Sequence, residues 1–365
     1  MPMNIVESTA SYEQWLAKQI VIVPRDLAAK HEAMAEDGFS FFRATFYRFM
    51  QLWKQHADAA LRAPRVLAVG DLHVANFGTW LDSEGRMIWG VNDFDEVYPL
   101  PYTIDLVRLA VSAHMATDEN HLAIADADAC DSILAGYQAG LKAGGVPFVL
   151  EHGHKWLRET VASDLRDPLA FWEKMNGLTE ISGNVPKVAA RGMEKLLPEG
   201  AVTERVIHRV AGLGSLGRER YVLLASLYGA PVAREAKALC ASACVWAGSK
   251  GGSNTPMYKT AIESPFRAQD PFVRVKNNWI IRRLAPFCSR VDLGSLPKER
   301  EESRLLNAMG FELANVHLAS KGADTKIAAD LKKRPKKWLH KTAAGLKKAT
   351  LRDFDDWKSA HKKGG

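Results

Sequence analysis

Three oxygen-bearing side chains in one short stretch define the chemistry this chain is equipped for. In Gly70-Asp71-Leu72-His73-Val74-Ala75-Asn76-Phe77-Gly78 an aspartate precedes an asparagine by five residues, and Asn92-Asp93-Phe94-Asp95-Glu96 follows after one predicted hairpin. Phosphoryl transfer uses such a set: the first Asp takes the proton of an acceptor hydroxyl, while the Asn and the second Asp hold Mg²⁺ against nucleotide phosphates. Magnesium accepts hard oxygen ligands from a few protein groups and leaves the rest of its octahedron to phosphate and water. Asn76 and Asp93 are of that type, and Asp95 is either a further metal ligand or a neighbour of Asp71. His73 either supports the loop through a hydrogen bond or transfers a proton itself. A local explanation competes, because Asp and Asn in turns commonly do no more than bind nearby backbone. The loop, the hairpin and the second Asp-Phe taken together favour metal–nucleotide chemistry.

A second set lies in the other half of the chain. Gly212-Leu213-Gly214-Ser215-Leu216-Gly217 stands between two strand-like segments, Val206–Val210 and Arg220–Leu227. Glycines there allow backbone to approach phosphates closely. A dinucleotide-binding turn would need a helix directly afterwards, and a strand pattern follows instead. Lys237 is then the candidate to grip phosphates, with a solvated lysine as the plain alternative, and Glu263 on a helix is its candidate ion-pair partner. Arg43, Arg282, Arg283 and Arg290 are either phosphate ligands or structural ion-pair partners. Asp105 either caps a helix or braces the Asp71 loop.

The elements that must position these groups follow from periodicity. Residues 1–64 read as helix with an aromatic cluster at Phe39, Phe41, Phe42, Phe46, Tyr47 and Trp53. Strands are predicted at 65–70 and 87–91, helix through 103–142, strands around 204–227 and 272–293, and one amphipathic helix over 302–320. The expected organisation is an N-terminal helical segment (1–64), a catalytic region (65–203), a β-rich nucleotide region with its linker helix (204–320) and a tail (321–365).

The segments Gly70–Gly78, Asn92–Glu96 and Asp105–Ala110 together resemble the catalytic part of aminoglycoside phosphotransferases and related small-molecule kinases. With Phe41-Phe42-Arg43 and Arg209–Gly217 added, most of residues 20–320 resemble the bacterial domain of unknown function 2252. The resemblance implies an α+β, protein-kinase-like, two-lobed fold using ATP and Mg²⁺. The glycine turn follows the Asp71 loop in this chain instead of preceding it, so the implied arrangement is circularly permuted. In such a fold the N-terminal helices pack near the end of the 302–320 helix, and Asp71 and Gly214 lie within reach of one ATP. The expected activity is phosphotransfer to a hydroxyl of a small molecule or protein. AMP transfer and a non-catalytic nucleotide-binding module are the alternatives.

Charge and composition narrow the classes. The 365 residues carry a net charge of +7, but residues 321–365 hold fourteen Lys/Arg and five Asp/Glu, a local +9 on a body of −2. The basic character is therefore expected to belong to a solvated, partly helical tail open to an acidic partner, and no motif supports specific nucleic-acid readout. No apolar run is long enough for a membrane span. The start of the chain lacks a secretory pattern, and four cysteines are too few for a disulfide framework. These features lead to the expectation of a cytoplasmic protein with free thiols.

Overall fold

Helices fill the N-terminal part of the computed structural model, which describes residues 3–151, 153–161, 167–181, 184–288 and 301–363. They are α1 (Ile5–Ala17), α2 (Pro24–Glu36), α3 (Gly38–Ala44), α4 (Phe46–His56) and α5 (Asp58–Leu61). Their starts are local chemistry. Asn4 and Glu7 form a reciprocal capping box, Pro24 opens α2 where no N–H is needed, and Asp37 caps α3 by accepting the Ser40 amide.

Strands β1 (Arg65–Ala68), β2 (Phe77–Leu81), β3 (Met87–Val91) and β4 (Tyr98–Pro101) follow. β1 pairs antiparallel with β4, and β2 with β3 across the turn at Asp82–Gly85. The loop carrying Asp71 thus runs from one small sheet to the other, and the Asp93 loop runs back. Helices α6 (Thr103–Asp118) and α7 (Asp126–Ala143) come next, then β5 (Phe148–Val149) on the free edge of β3. Every residue of α6 from Thr103 to Ala116 is buried, charged ones included, because the helix is surrounded on all sides.

After α8 (Lys155–Val161), α9 (Pro168–Asn176) and α10 (Lys187–Glu194), the chain builds its larger sheet. Strands β6 (Val202–His208), β7 (Arg220–Leu227) and β8 (Ala230–Ala238) are followed by α11 (Ala243–Trp246), α12 (Tyr258–Ile262), β9 (Arg274–Lys276) and β10 (Trp279–Leu284). The sheet is antiparallel in the order β6-β7-β8-β10-β9. Tyr228 and Gly229 alone join β7 to β8, both at positive φ (53° and 77°), as a two-residue hairpin with right-handed strand twist requires. The pleat sorts side chains by face. Leu223, Ala225, Ala236 and Ile281 pack with Ala189 and Met193 of α10, while Val222, Leu224, Ala233 and Leu284 pack with Phe171 and Met175 of α9. Register puts Arg220, Glu235, Lys237 and Arg282 on the α9 face as well, beyond the part that α9 covers.

Helices α13 (Glu302–Leu318), α14 (Ala323–Leu331) and α15 (Trp338–Lys363) close the chain. Here the structure corrects the expectation of a basic tail. Ile327, Leu339, Ala343, Leu346 and Ala349 are buried in the main core, and Trp357 packs with Phe41. Arg48 and Asp353 form a buried ion pair at 2.7 Å. The lysines at 332, 333, 336, 337 and 341 are exposed, so the positive charge is one face of helices whose other face is core. The molecule therefore mixes helices with small antiparallel sheets, as the patterning leads one to expect. Among the described residues no helix is long and apolar enough to cross a membrane.

α7 and α13 meet backbone to backbone. A Cβ on Gly136 would overlap the Asn307 carbonyl, and one on Gly310 would overlap the Ile133 carbonyl. Gly136→Ala and Gly310→Ala are each expected to destabilise the fold by about 1–3 kcal/mol through overpacking, against the small gain in helix propensity. Chemical denaturation of the two variants measures this. An unchanged midpoint in both would show that the helices separate freely.

Candidate active site

The Asp71 loop is held from below by a carboxylate. Asp105, in the first turn of α6, accepts the Val69 amide at 2.7 Å and the Gly70 amide at 2.9 Å. Its Oδ2 also meets His317 Nε2 at 3.0 Å, and His317 Nδ1 meets the Tyr137 hydroxyl at 2.7 Å. Of the two readings of Asp105, bracing the loop is the one the geometry has; no cap hydrogen bond is made. Gly70 sits at φ 81° with Glu96 backbone and Phe46 where a Cβ would be, which explains the glycine. Further along, Ser112 Oγ accepts the Val74 amide at 3.0 Å.

Asn76 ties the two loops together. Its amide group donates to the Asp71 carbonyl at 3.2 Å and to the Asp93 carbonyl at 3.0 Å, while Oδ1 is buried with no hydrogen-bond partner. Orienting the nitrogen toward two carbonyls leaves an orphan oxygen beside Asp71 and Asp93, and such an atom is a metal ligand in kind. The Asp93 end is fixed by α13: Glu312 Oε1 accepts the Val91 amide at 3.3 Å and lies where a side chain on Gly90 would be.

Each carboxylate of the site has a cation. Asp71 Oδ1 accepts from Nε of the fully buried Arg108 at 3.0 Å and from its Nη2. Lys237 Nζ lies 3.1 Å from Asp93 Oδ2 and 2.6 Å from Asp95 Oδ1. Arg218 spans Asp95 and Glu96 at 3.2 Å to each. Glu96 also accepts the Ser242 hydroxyl at 2.8 Å and the Ala243 amide at 2.7 Å. On the sheet, buried Glu235 gathers Arg209 (2.5 Å), Arg282 (2.7 Å) and Arg220 (3.3 Å). Burial and the adjacent Asp93 push the Asp95 pKa up against Lys237 and Arg218. Burial alone would raise Glu235 as well, but Arg282, Arg220 and Arg209 hold its carboxyl well below the usual range.

The glycine turn closes over this group. Gly212 to Ser215 form a short 3₁₀ turn between β6 and β7, and a Cβ on Gly214 would stand 3.2 Å from Asp71 Oδ2. The turn is held from outside by the Val23 amide on the Gly217 carbonyl (2.8 Å) and by Lys30 on the Gly214 carbonyl (3.4 Å). Burial pushes the Lys30 pKa down to about 8. The cavity, about 30 Å³, is lined by Asp71, His73, Asn76, Asp93, Asp95 and Glu96 from one side. Arg43, Gly212, Gly214, Ser215 and Arg218 line the other. A second cavity of about 40 Å³ lies on the β10 side, among Trp80, Tyr258, Arg267 and Arg282.

Most of the sequence-derived candidates thus converge on one cleft, and Lys237 reaches it from the sheet. Gly217 stands at the edge, against Leu27 of α2. Glu263 is a correction: it lies just past α12, about half exposed, and pairs with Lys259 at 3.7 Å, because the face of β8 that carries Lys237 turns to Asp93 and Asp95. Arg282 is bound to Glu235, and Arg283 stacks on Phe272 4.2 Å from its centroid. Arg290 lies outside the described residues. Sequence reasoning missed Arg108, Arg218, Arg220 and Glu235; the available signal was a charge inside an apolar run, as in Leu106-Val107-Arg108-Leu109. Among the described residues no group of three or more His, Cys, Asp or Glu is placed to hold a metal.

Burial raises Glu312 and Glu96 to about 7 each, Arg267 opposing it at the first and Arg218 at the second. A carboxyl whose folded pKa is raised stabilises the fold below its unfolded value near 4.5, and that contribution is lost as pH rises through 7. The stability difference between the parent and Glu312→Gln is expected to shift by about 3 kcal/mol against the parent across that window. Urea denaturation at stepped pH reads it, and parallel pH curves for the two proteins would contradict it.

No curated protein and no solved structure matches the chain. Residues 22–151, which carry the Asp71 loop, the Asp93 loop and α6, match a family described as an uncharacterised protein conserved in bacteria, DUF2252.

Proposed function

We propose that the chain is an ATP- and Mg²⁺-dependent phosphotransferase of permuted kinase-like architecture, acting on a hydroxyl acceptor. One observation carries the reading. Two segments far apart in sequence, 70–96 and 212–237, meet around Asp71, Asn76 and Asp93, with a glycine turn and a buried lysine facing them. The order of parts also suits a permuted kinase: α13 comes after β10 in the sequence and ends beside the Asp71 region, where Leu67 donates to Ser320 Oγ at 2.8 Å.

In this reading Asp71 Oδ2 takes the acceptor proton as the hydroxyl oxygen bonds to the γ-phosphorus and ADP departs. Arg108 occupies the other oxygen, so Oδ2 is the carboxylate oxygen left to face the cleft. Bound by Asn76 Oδ1 and Asp93, Mg²⁺ would neutralise phosphate charge and align the leaving group. Lys237 would turn from Asp93 to the phosphates. The N–H groups of the Gly212–Gly217 turn would cover them. A cavity of about 30 Å³ is far smaller than the roughly 300–1,000 Å³ of a typical ligand pocket. Nucleotide entry therefore requires the turn to lift from Asp71, and its sparse outer bonds from Lys30 and Val23 suit that motion.

Asp71→Asn is expected to lower turnover of Mg-ATP by about 10²–10⁴-fold while nucleotide affinity stays within a few-fold. Asp93→Asn is expected to abolish the Mg²⁺ dependence of nucleotide binding. Calorimetric titration and phosphate release read the two effects. Mass spectrometry after incubation with acceptor pools separates phosphate transfer, about +80 Da, from AMP transfer, about +329 Da. A folded parent that neither binds nor turns over Mg-ATP would contradict the proposal.

A further inference from the structure

The phosphotransferase reading leaves the N-terminal aromatic cluster without a task, and the structure places that cluster against Arg108, the partner of Asp71. Phe42, Phe46 and Phe49 are spaced at helical intervals over α3 and α4, and all are buried. Their rings enclose the guanidinium of Arg108, whose Cζ lies 4.0 Å from the Phe42 centroid, 5.0 Å from Phe46 and 4.7 Å from Phe49. The side chain has no solvent exposure. Nη2 donates to the Phe42 carbonyl at 3.0 Å and to Asp71 Oδ1, Nε donates to the same Oδ1 at 3.0 Å, and Nη1 is buried with no hydrogen-bond partner.

This arrangement is costly for structure alone. A buried arginine is usually met by a bidentate carboxylate that satisfies its fork. Here both donors converge on one oxygen and a third nitrogen goes without, although the carboxylate has a second oxygen. That second oxygen, Asp71 Oδ2, is the one facing Gly214 and the cleft. A flat guanidinium packed among three rings has little freedom to tilt.

We infer that Arg108 is a positioning residue. Caged by Phe42, Phe46 and Phe49, it fixes the rotamer of Asp71 by engaging Oδ1 alone and so reserves Oδ2 for the acceptor hydroxyl. The helices before residue 64 thereby belong to the active site through the cage. The kinetic consequence rests on the phosphotransferase reading; the geometric one does not.

The test has two arms. In the first, crystal structures of Arg108→Ala are compared with and without guanidinium chloride soaked at sub-denaturing concentration. Arg108→Met, which keeps the side chain's volume and the ring contacts, is the second variant should the alanine protein not fold. The expected result is an Asp71 carboxylate that rotates away in either variant, and in Arg108→Ala returns when guanidinium fills the cage. An Asp71 rotamer unchanged in a folded variant overturns the inference. In the second arm, kcat for Mg-ATP turnover is expected to fall about 10²-fold in Arg108→Met, with KM for ATP within threefold of the parent. Arg108→Lys is expected to recover part of the loss, and guanidinium to rescue Arg108→Ala. A matched rise in KM without loss of kcat, or rescue by no cation, overturns the inference. A parent inactive toward Mg-ATP sinks the phosphotransferase reading and leaves the rotamer comparison to decide the role of Arg108.

Discussion

Five carboxylates, those of Asp71, Asp93, Asp95, Glu96 and Glu235, are drawn largely out of water in one cleft and on the sheet face beside it, and the surrounding architecture answers to that constraint. A charge removed from water is tolerated only with a well-placed partner. Arg108, Lys237, Arg218 and the trio around Glu235 supply those partners, each delivered by a different element. Glu96, whose partners offset its burial only in part, is raised to about 7. Asp93 and Asp95 share a lysine, and their mutual repulsion adds to the desolvation that raises Asp95. Within the cluster Asn76 Oδ1 is buried with no hydrogen-bond partner, and Lys237 places its positive charge beside Asp93.

The same constraint binds distant parts of the chain into one unit. Cations for the Asp71–Glu96 segment come from α6, from β8 and from the residue after the glycine turn. The α6 cation is walled by aromatics of α3 and α4, whose outer side is pinned to α15 by Arg48 and Asp353. Asp105, which braces Val69 and Gly70, is in turn held by His317 of α13. Both ends of the chain therefore support the loop that carries Asp71.

Local spacing made the loops legible in the sequence. Asp71, Asn76 and Asp93 are recognisable because their distances along the chain are set by one loop and one hairpin, and Gly212–Gly217 because a turn between strands needs glycines. Partnerships across the sheet were not legible in the same way. Glu263 suits Lys237 by residue type, but only the register of β8 against β7 and β10 brings this lysine to Asp93. Arg108 was hidden in an apolar helix, where a lone charge gives no sign of what it meets. The lysines after residue 321 mask by their number a segment whose apolar residues at helical spacing, Ile327, Leu339, Ala343 and Leu346, form part of the core.

The most direct measurement is a crystal structure with Mg²⁺ and a non-hydrolysable ATP analogue. The account predicts a metal on Asn76 Oδ1 and Asp93, Lys237 turned to the phosphates, the Gly212–Gly217 turn lifted to cover them, and Asp71 Oδ2 open to an acceptor. A nucleotide bound away from Asp71, or a metal that bypasses Asn76 and Asp93, would contradict it.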